Sequence, residues 1–187
     1  MPLSITEIQA ALALGGARPT LFSVTLTPPA GGVGLSSAAI VETPFLIHAA
    51  SLPESALGTI RVPYYGRNIK LAGDRTFAPW TVSVLNDEDF LIRNFLEIWS
   101  ETMNSLQGNL LEFASSSPEL YKSSALITQY SKTGLPIRNY TFNGLWPSII
   151  APIAVDWSTT DQIESFNCTF EYDYWTQSSI TGTSINV

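Results

Sequence analysis

The strand and helix that decide the fold lie within residues 80–106, WTVSVLNDEDFLIRNFLEIWSETMNSL. Every second residue from Trp80 to Val84 is apolar, which is the period of a strand with one buried face. Asn86 then provides an N-cap and is followed by three acidic residues, whose charge the helix dipole favours in a first turn. Apolar residues recur beyond it at helical spacing: Leu91, Phe95, Ile98, Trp99, Met103 and Leu106. The pattern predicts a strand followed by a helix from Asp87 to Leu106 that packs one face on a sheet.

Strand patterns dominate the rest of the chain. They cover residues 21–27, 45–50, 58–63, 69–71, 125–131, 137–144, 151–157 and 163–175. Turn residues join these strands into three hairpins, with turns at 65–68, 132–135 and 158–161. The first hairpin is predicted to project from the body of the protein.

Two segments near the N-terminus complete the expected architecture. A short helix opens at Ser4, with Glu7 completing a capping box. Residues 28–43 are rich in Gly, Pro and Ser and are predicted as a loop. We predict one domain spanning residues 1–187, of mainly β (α+β) class: two packed antiparallel sheets forming a sandwich or barrel, with one flanking helix and a projecting hairpin.

The composition argues against several kinds of site. Sixteen acidic against nine basic residues give a net charge of −7, which disfavours a basic groove for nucleic acid. Cys168 is the only cysteine, so an intrachain disulfide and a multi-cysteine zinc site are excluded. His48 is the only histidine and no Gly-x-Ser-x-Gly motif accompanies it, which argues against a hydrolase triad. We expect no enzymatic activity, no catalytic residue, no metal, no cofactor and no small-molecule substrate.

One remote alternative is a carbohydrate-binding β-sandwich or a glycosidase. The chain has five tryptophans, and carboxylates of the type that glycosidases use occur at Asp87, Glu88, Asp89, Glu171 and Asp173. Nothing in the sequence pairs these carboxylates. Thermal stabilisation by a sugar would be the sign of such a function.

Charge is unevenly distributed along the chain. The first hairpin region has four cations (Arg61, Arg67, Lys70 and Arg75) and one carboxylate, Asp74, a net charge of +3. The following helix region has seven carboxylates and one cation, a net charge of −6. Ordinary solvated loops and a solvated helix face would explain this. The alternative is that a basic hairpin on one copy meets an acidic surface on the next, a contact that builds rings or open filaments.

An ordered set of short strings carries a resemblance to a known family. The strings are Ala17–Val24, Ala72–Phe77, Trp80–Val82, Asn86–Glu88, Gly144–Pro147, Asp156–Trp157 and Asp173–Trp175. Together they resemble the tail tube proteins of T4-like contractile-tailed bacteriophages, over about residues 4–175. The resemblance fades in residues 28–43 and in residues 176–187, which we expect to be a flexible C-terminal tail.

The resemblance implies a non-enzymatic structural subunit. Six subunits would form a ring, and rings would stack helically into a rigid hollow tube inside a contractile sheath. Residues 58–72 would be the hairpin that reaches the adjacent ring, with contacts from Arg61, Tyr64, Tyr65, Arg67, Lys70 and Arg75. Glu97 and Glu101 would lie on the sheath side. Glu171 and Asp173, on the predicted wet face of the last strand, are candidates for the lumen, where negative charge keeps DNA from adhering.

The resemblance also implies the partners and the location. These partners are the sheath protein, baseplate and tube-initiator proteins, a tape measure protein, a tail terminator and genomic DNA that passes without specific binding. We expect the protein in the virion tail, assembled in the bacterial cytoplasm, since the N-terminus lacks the pattern of a secretory signal. A baseplate tube initiator of the same fold, and the tube of a phage-derived contractile injection particle, remain alternatives.

Overall fold

The computed structural model describes residues 4–13, 15–32, 35–111, 117–179 and 184–185. Within these ranges the chain forms four helices: α1 (Ile5–Ala11), α2 (Ser37–Leu46), α3 (Leu91–Met103) and α4 (Pro118–Tyr121). The first five strands are β1 (Phe22–Leu26), β2 (Ile47–Ala50), β3 (Ala56–Tyr64), β4 (Arg67–Thr76) and β5 (Trp80–Leu85). The others are β6 (Ser123–Tyr130), β7 (Pro136–Ile150), β8 (Ser165–Glu171), β9 (Tyr174–Ser179) and β10 (Ser184–Ile185). None of the described helices is long and apolar enough to span a membrane.

Two antiparallel sheets share the long strand β7. Sheet 1 has the order β1, β6, first half of β7, β9, β10, and sheet 2 has the order second half of β7, β8, β5, β2. Strands β3 and β4 pair only with each other among the described residues. The predicted mainly β class, with two sheets, one main helix and a projecting hairpin, is confirmed.

The chain changes sheets at a corner formed by Gly144 and Asp173. Gly144 has a positive φ of 70°, and a Cβ built on it would lie 2.1 Å from Asp173 Oδ2. The Asp173 amide donates to the Asn143 carbonyl at 3.0 Å, and its carboxylate pairs with Lys122 Nζ at 2.7 Å. Glycine therefore fits both the backbone conformation and the close approach at this corner.

The core lies between the two sheets and α3. The predicted strand beginning at Trp80 is β5, whose side chains at Trp80, Val82 and Val84 are buried. Trp80 stacks on Phe142 with ring centroids 4.4 Å apart. Buried Trp99 of α3 donates from Nε1 to the Tyr121 carbonyl at 2.8 Å, which satisfies its only polar atom.

The main helix is shorter than its pattern predicts. It begins at Leu91, not at Asp87, because residues 87–90 form a turn. In this turn Phe90 has a positive φ of 54°, and the Asp87 carboxylate accepts a hydrogen bond from the Leu91 amide at 3.1 Å. Asn86, the predicted cap, instead donates from Nδ2 to Glu164 Oε2 at 3.1 Å. The helix ends at Met103, and Leu106 is exposed.

The predicted loop at residues 28–43 is wrong in its second half. Residues 37–46 form α2, which begins inside the Ser and Ala run and continues through Pro44. Ala39 and Thr43 are buried, and the Leu26 amide, on the outer edge of β1, donates to Thr43 Oγ1 at 3.4 Å. Packing against β1 therefore makes this segment helical despite its composition. Residues 33 and 34 lie outside the described residues.

Four further predictions need correction. The short N-terminal helix is present, but the Ser4 side chain makes no capping hydrogen bond. Residues 151–157 form no strand, because the strand before them is the continuous β7 that ends at Ile150. The predicted strand 163–175 is divided into β8 and β9 at Tyr172 and Asp173, so the alternation breaks there. Residues 176–179 of the expected tail belong to β9. Residues 180–183 and 186–187 of that tail lie outside the described residues, and so does Glu112 of the acidic helix region.

Candidate assembly surfaces

The β3–β4 hairpin extends away from the core. Its residues are exposed along almost their whole length. Tyr65 and Gly66 form the turn with φ values of 42° and 76°, the two positive values that a type I′ hairpin turn requires. Tyr64 and Tyr65 meet edge to face at the tip, with ring centroids 4.7 Å apart.

The register gives the hairpin two different faces. Ile60 lies opposite Leu71 and Val62 opposite Ile69, so four half-exposed aliphatic side chains form an apolar face. Arg61 lies opposite Lys70 on the other face. Like charges directly opposite each other destabilise a strand pair, and neither cation forms an ion pair within the described residues. The hairpin thus offers both apolar surface and uncompensated positive charge.

The remaining residues predicted for this contact occupy the two ends of the hairpin. Arg67 lies opposite Tyr64 beside the tip. Arg75 lies near the base and donates to Ser55 Oγ. The structure therefore brings Arg61, Tyr64, Tyr65, Arg67 and Lys70 together on the distal part, whereas Arg75 is held close to the body.

Both sheets have an edge strand with one unpaired side among the described residues. In sheet 2, β2 pairs only with β5, and the second half of β7 pairs only with β8. Free edges are templates for pairing with another chain. Sheet 2 therefore has one free edge on each side.

The outer face of sheet 2 is almost uncharged and mostly polar, apart from exposed Ile149, which lies opposite Thr169. Thr81 and Thr169 share a hydrogen bond of 3.0 Å across neighbouring strands, and Ser83 and Asn167 lie next to them. Glu171 lies at the end of the same face and is partly exposed. Asp173 lies beyond it at the corner and is paired with Lys122, so these two predicted lumen candidates are not equivalent.

The two glutamates predicted for the sheath side lie on α3. Glu97 is exposed and accepts from Arg93 Nε at 2.8 Å, in an i, i+4 pair. Glu101 is exposed one turn later. The buried face of α3 is opposite, at Phe95 and Trp99, so both carboxylates point away from the core.

Residues 151–164, which we term the strap, join β7 to β8. It borders an open cleft of about 440 Å³ together with Ser165. Three large apolar side chains of the strap are mostly exposed: Val155, Trp157 and Ile163. The Asp156 carboxylate accepts from the Ser158 amide at 2.9 Å, which lowers the pKa of that carboxyl. In the sequence, Asp156 and Trp157 were singled out only by the family resemblance. Their exposure was not predicted, because residues 151–157 were predicted to form a strand.

The strap and the hairpin lie at opposite ends of sheet 2. The hairpin leaves from the end of β2 and returns to the start of β5. The strap enters β8 beside the end of β5, where the Asn86 amide donates to the Glu164 carbonyl at 2.8 Å. The two segments therefore join sheet 2 at opposite ends of β5, which are roughly 17 Å apart along this six-residue strand.

Candidate metal ligands and nucleophiles are few among the described residues. No group of three or more His, Cys, Asp or Glu side chains is placed to hold a metal ion in this part of the chain. Cys168 is buried, and burial raises the pKa of its thiol to about 12, which leaves it unreactive. Burial raises the pKa of Tyr172, with a further contribution from the charges of Glu54 and Glu171. His48 is exposed on edge strand β2.

Comparison with known proteins gives consistent matches. Residues 17–178 match the family model of the phage tail tube protein. The tail tube protein gp19 of Enterobacteria phage T4 is 35% identical over 132 residues, which cover 70% of this chain and 79% of that protein. The tail tube protein of Serratia phage KSP90 is 25% identical over 171 residues, which cover 90% and 94% of the two chains.

A solved structure has the same fold at low sequence identity. The tube-terminating cap of the anti-feeding prophage superposes with a TM-score of 0.60 at 17% identity, covering 88% of this chain and 91% of that one. This likeness concerns the arrangement of sheets and helix alone.

Proposed function

Because the chain belongs to the phage tail tube protein family and is a tail tube subunit, we propose that its copies form hexameric rings that stack into a hollow tube. The observation that carries this proposal is the β3–β4 hairpin, which exposes an apolar face and, among the described residues, has cations without an ion pair and no third strand beside it. A monomer gains nothing from such a surface, whereas an assembly can bury it. The proposed assembly unit is one domain over residues 1–187.

Rings form by pairing of sheet 2 across subunits. The free edge of β2 in one subunit meets the free edge of β7 in the next, so that six sheets close into one barrel. Closure removes every exposed edge, which an open sheet cannot do. The polar outer face of sheet 2 then lines the lumen.

The lumen so formed suits the passage of DNA. Hydroxyl and amide groups such as Thr81 and Asn167 carry no charge, and Glu171 supplies negative charge on the same face. A protein that neutralises no phosphates releases no counterions and therefore does not hold DNA. Asp173 contributes less, because Lys122 compensates its charge.

Rings stack through the hairpin. Residues 58–72, within β3 and β4, reach the adjacent ring and contribute Arg61, Tyr64, Tyr65, Arg67 and Lys70, while Arg75 supports the base. The outer wall presents α3, with Glu97 and Glu101 toward a contractile sheath. Initiation on a baseplate, a tape measure protein in the lumen and a terminator at the far end complete the set of partners.

The subunit acts in the virion as a structural element and has no catalytic activity. We place its assembly in the bacterial cytoplasm, before the particle is released. Two of the carboxylates considered for a sugar hydrolase are engaged in structural contacts, Asp87 with the Leu91 amide and Asp173 with Lys122, which favours this function over that of a sugar hydrolase.

Negative-stain electron microscopy of the purified protein after size-exclusion chromatography tests the proposal. We expect rings and hollow tubes. A matched variant, Ile60→Ser with Ile69→Ser, removes two apolar contacts from the hairpin and leaves the core intact, so it should give single rings that do not stack. A protein that stays monomeric at all concentrations and also fails to extend purified baseplates would overturn the proposal.

A further inference from the structure

We infer that the strap cleft of one subunit is the surface that receives the β3–β4 hairpin of a second copy. This inference rests on the proposed stacking of rings and goes further by naming the receiving surface. It follows from three properties of the described residues: matching apolar surface, opposite charge, and placement at opposite ends of sheet 2.

The apolar surfaces match in kind. The hairpin presents Ile60, Val62, Ile69 and Leu71 on one face, each about half exposed. The strap presents Val155, Trp157 and Ile163, and Trp157 is fully exposed. A fully exposed tryptophan contributes nothing to the folding of the subunit, but such residues dominate binding when a partner covers them.

The charges are complementary. The hairpin has a net charge of +3, and its facing pair Arg61 and Lys70 forms no ion pair within the part of the chain that the structure describes. Six carboxylates surround or adjoin the strap: Asp87, Glu88, Asp89, Asp156, Asp161 and Glu164. The hydrogen bonds between Asn86 and Glu164 hold the 87–89 turn beside the strap. An acidic acceptor would relieve the repulsion between the two hairpin cations.

The placement fits a contact between different rings and not within one subunit. The hairpin leaves one end of β5 and the strap lies beside the other end, so the two surfaces face opposite directions along the sheet. A contact between two unlike surfaces at opposite ends is heterologous and repeats from copy to copy. A second copy shifted along the strand direction brings its hairpin to the strap.

Trp157→Ala is the first test. Because the side chain is fully exposed, the variant should unfold at the wild-type temperature and still form rings. We expect the subunit concentration needed for tubes, measured by sedimentation, to rise at least about tenfold. Leu135→Ala removes a similarly exposed side chain from the β6–β7 turn and should leave this concentration unchanged. Tubes that form equally well from Trp157→Ala would overturn the assignment.

A charge exchange tests the electrostatic part. Arg61→Glu with Lys70→Glu should prevent stacking, and adding Glu88→Lys with Asp89→Lys should restore it. The control adds Glu101→Lys with Glu119→Lys, which changes the net charge equally on exposed residues outside the strap region. Restoration by the control pair as well, or by neither pair, would contradict a specific contact with this surface.

The outcomes separate the inference from the proposed function. Wild-type protein that forms no rings or tubes, either alone or on purified baseplates, contradicts the proposed function itself. If the wild type forms tubes and Trp157→Ala forms them equally well, only the assignment of the strap cleft as the receiving surface is contradicted.

Discussion

The sandwich core and the β3–β4 hairpin are both antiparallel β-structure, but they use apolar residues in opposite ways. In the core, side chains such as Phe142 and Val82 are fully buried between the sheets and α3. In the hairpin, Ile60 and Leu71 face each other across the strands and remain half exposed. The core residues stabilise the subunit, whereas the hairpin residues leave apolar surface accessible to a partner.

The difference shows that alternation along a strand identifies a face but not what covers that face. Residues 60–62 and 80–84 both have apolar side chains at every second position. Only the second group lies beneath another layer of the same chain. Substitutions in the two regions should therefore separate loss of folding from loss of assembly.

The largest difference should appear between two alanine variants, one that removes a buried tryptophan and one that removes an exposed tryptophan. Trp99→Ala removes a side chain that packs on Phe95 and Phe170 and donates to the Tyr121 carbonyl. We expect the free energy of unfolding, measured by urea denaturation, to fall by about 3–5 kcal/mol. Trp157→Ala should leave it unchanged within about 0.5 kcal/mol. Equal losses from both substitutions would abolish the distinction between the regions.

A second contrast compares two glycines with positive φ. Gly144→Ala forces a Cβ against Asp173 at the corner where β7 changes sheets and should cost about 2–3 kcal/mol of unfolding free energy. Gly66→Ala, at the hairpin turn, meets no atom within 4 Å, so it should cost only about 1–2 kcal/mol, from the left-handed backbone. Denaturation curves of both variants measure the difference, and a larger loss for Gly66→Ala would mean that the hairpin belongs to the folding unit.

The buried thiol gives the core a pH dependence. Burial raises the pKa of Cys168 from 9.0 to about 12 in the folded protein, so the folded state retains a proton that the unfolded state loses. Stability from this group is complete below pH 9 and decreases as the pH rises toward 12. It should fall by about 2 kcal/mol between pH 9 and pH 10.5. Cys168→Ala should lack this part of the slope in denaturation experiments, and an identical slope would show that the thiol is accessible to solvent.

The smallest effect concerns the hairpin alone. Arg61→Glu places a carboxylate opposite Lys70 and should stabilise the isolated hairpin by about 0.2–1 kcal/mol. The same change should weaken tube formation, because it removes positive charge from the contact surface. Amide hydrogen exchange of β3 and β4 reports the first effect and sedimentation the second. Slower exchange combined with undiminished assembly would show that the hairpin cations serve no partner.

Much of the fold was predictable where one pattern repeats without interruption. Strands β1 and β5 and the buried face of α3 follow from alternation and helical spacing, because each packs one continuous face on the core. The start of α3 was predicted four residues early, since acidic residues favour a first turn but the Asp87 carboxylate here closes the turn before the helix.

Other elements depend on contacts that no local pattern contains. α2 forms because Ala39 and Thr43 cover the edge of β1, although the predicted loop in which it begins is rich in Gly, Pro and Ser. The length of β7 could not be predicted, because Gly144 and Pro147 are typical of turns and here accompany a change of sheet. The hairpin half of the candidate contact was predicted from charge. The strap half was missed, because residues 151–157 alternate as a strand does but belong to no strand of the structure.

The placement of hairpin and strap at opposite ends of β5 also has a directional consequence. Any stack built by this contact has two chemically different termini, one displaying hairpins and the other displaying empty clefts. Such a stack would grow in one direction. A nucleus that covers one terminus leaves only the other terminus for the addition of subunits. The orientation of the subunit on its first template would thus be inherited by every later layer.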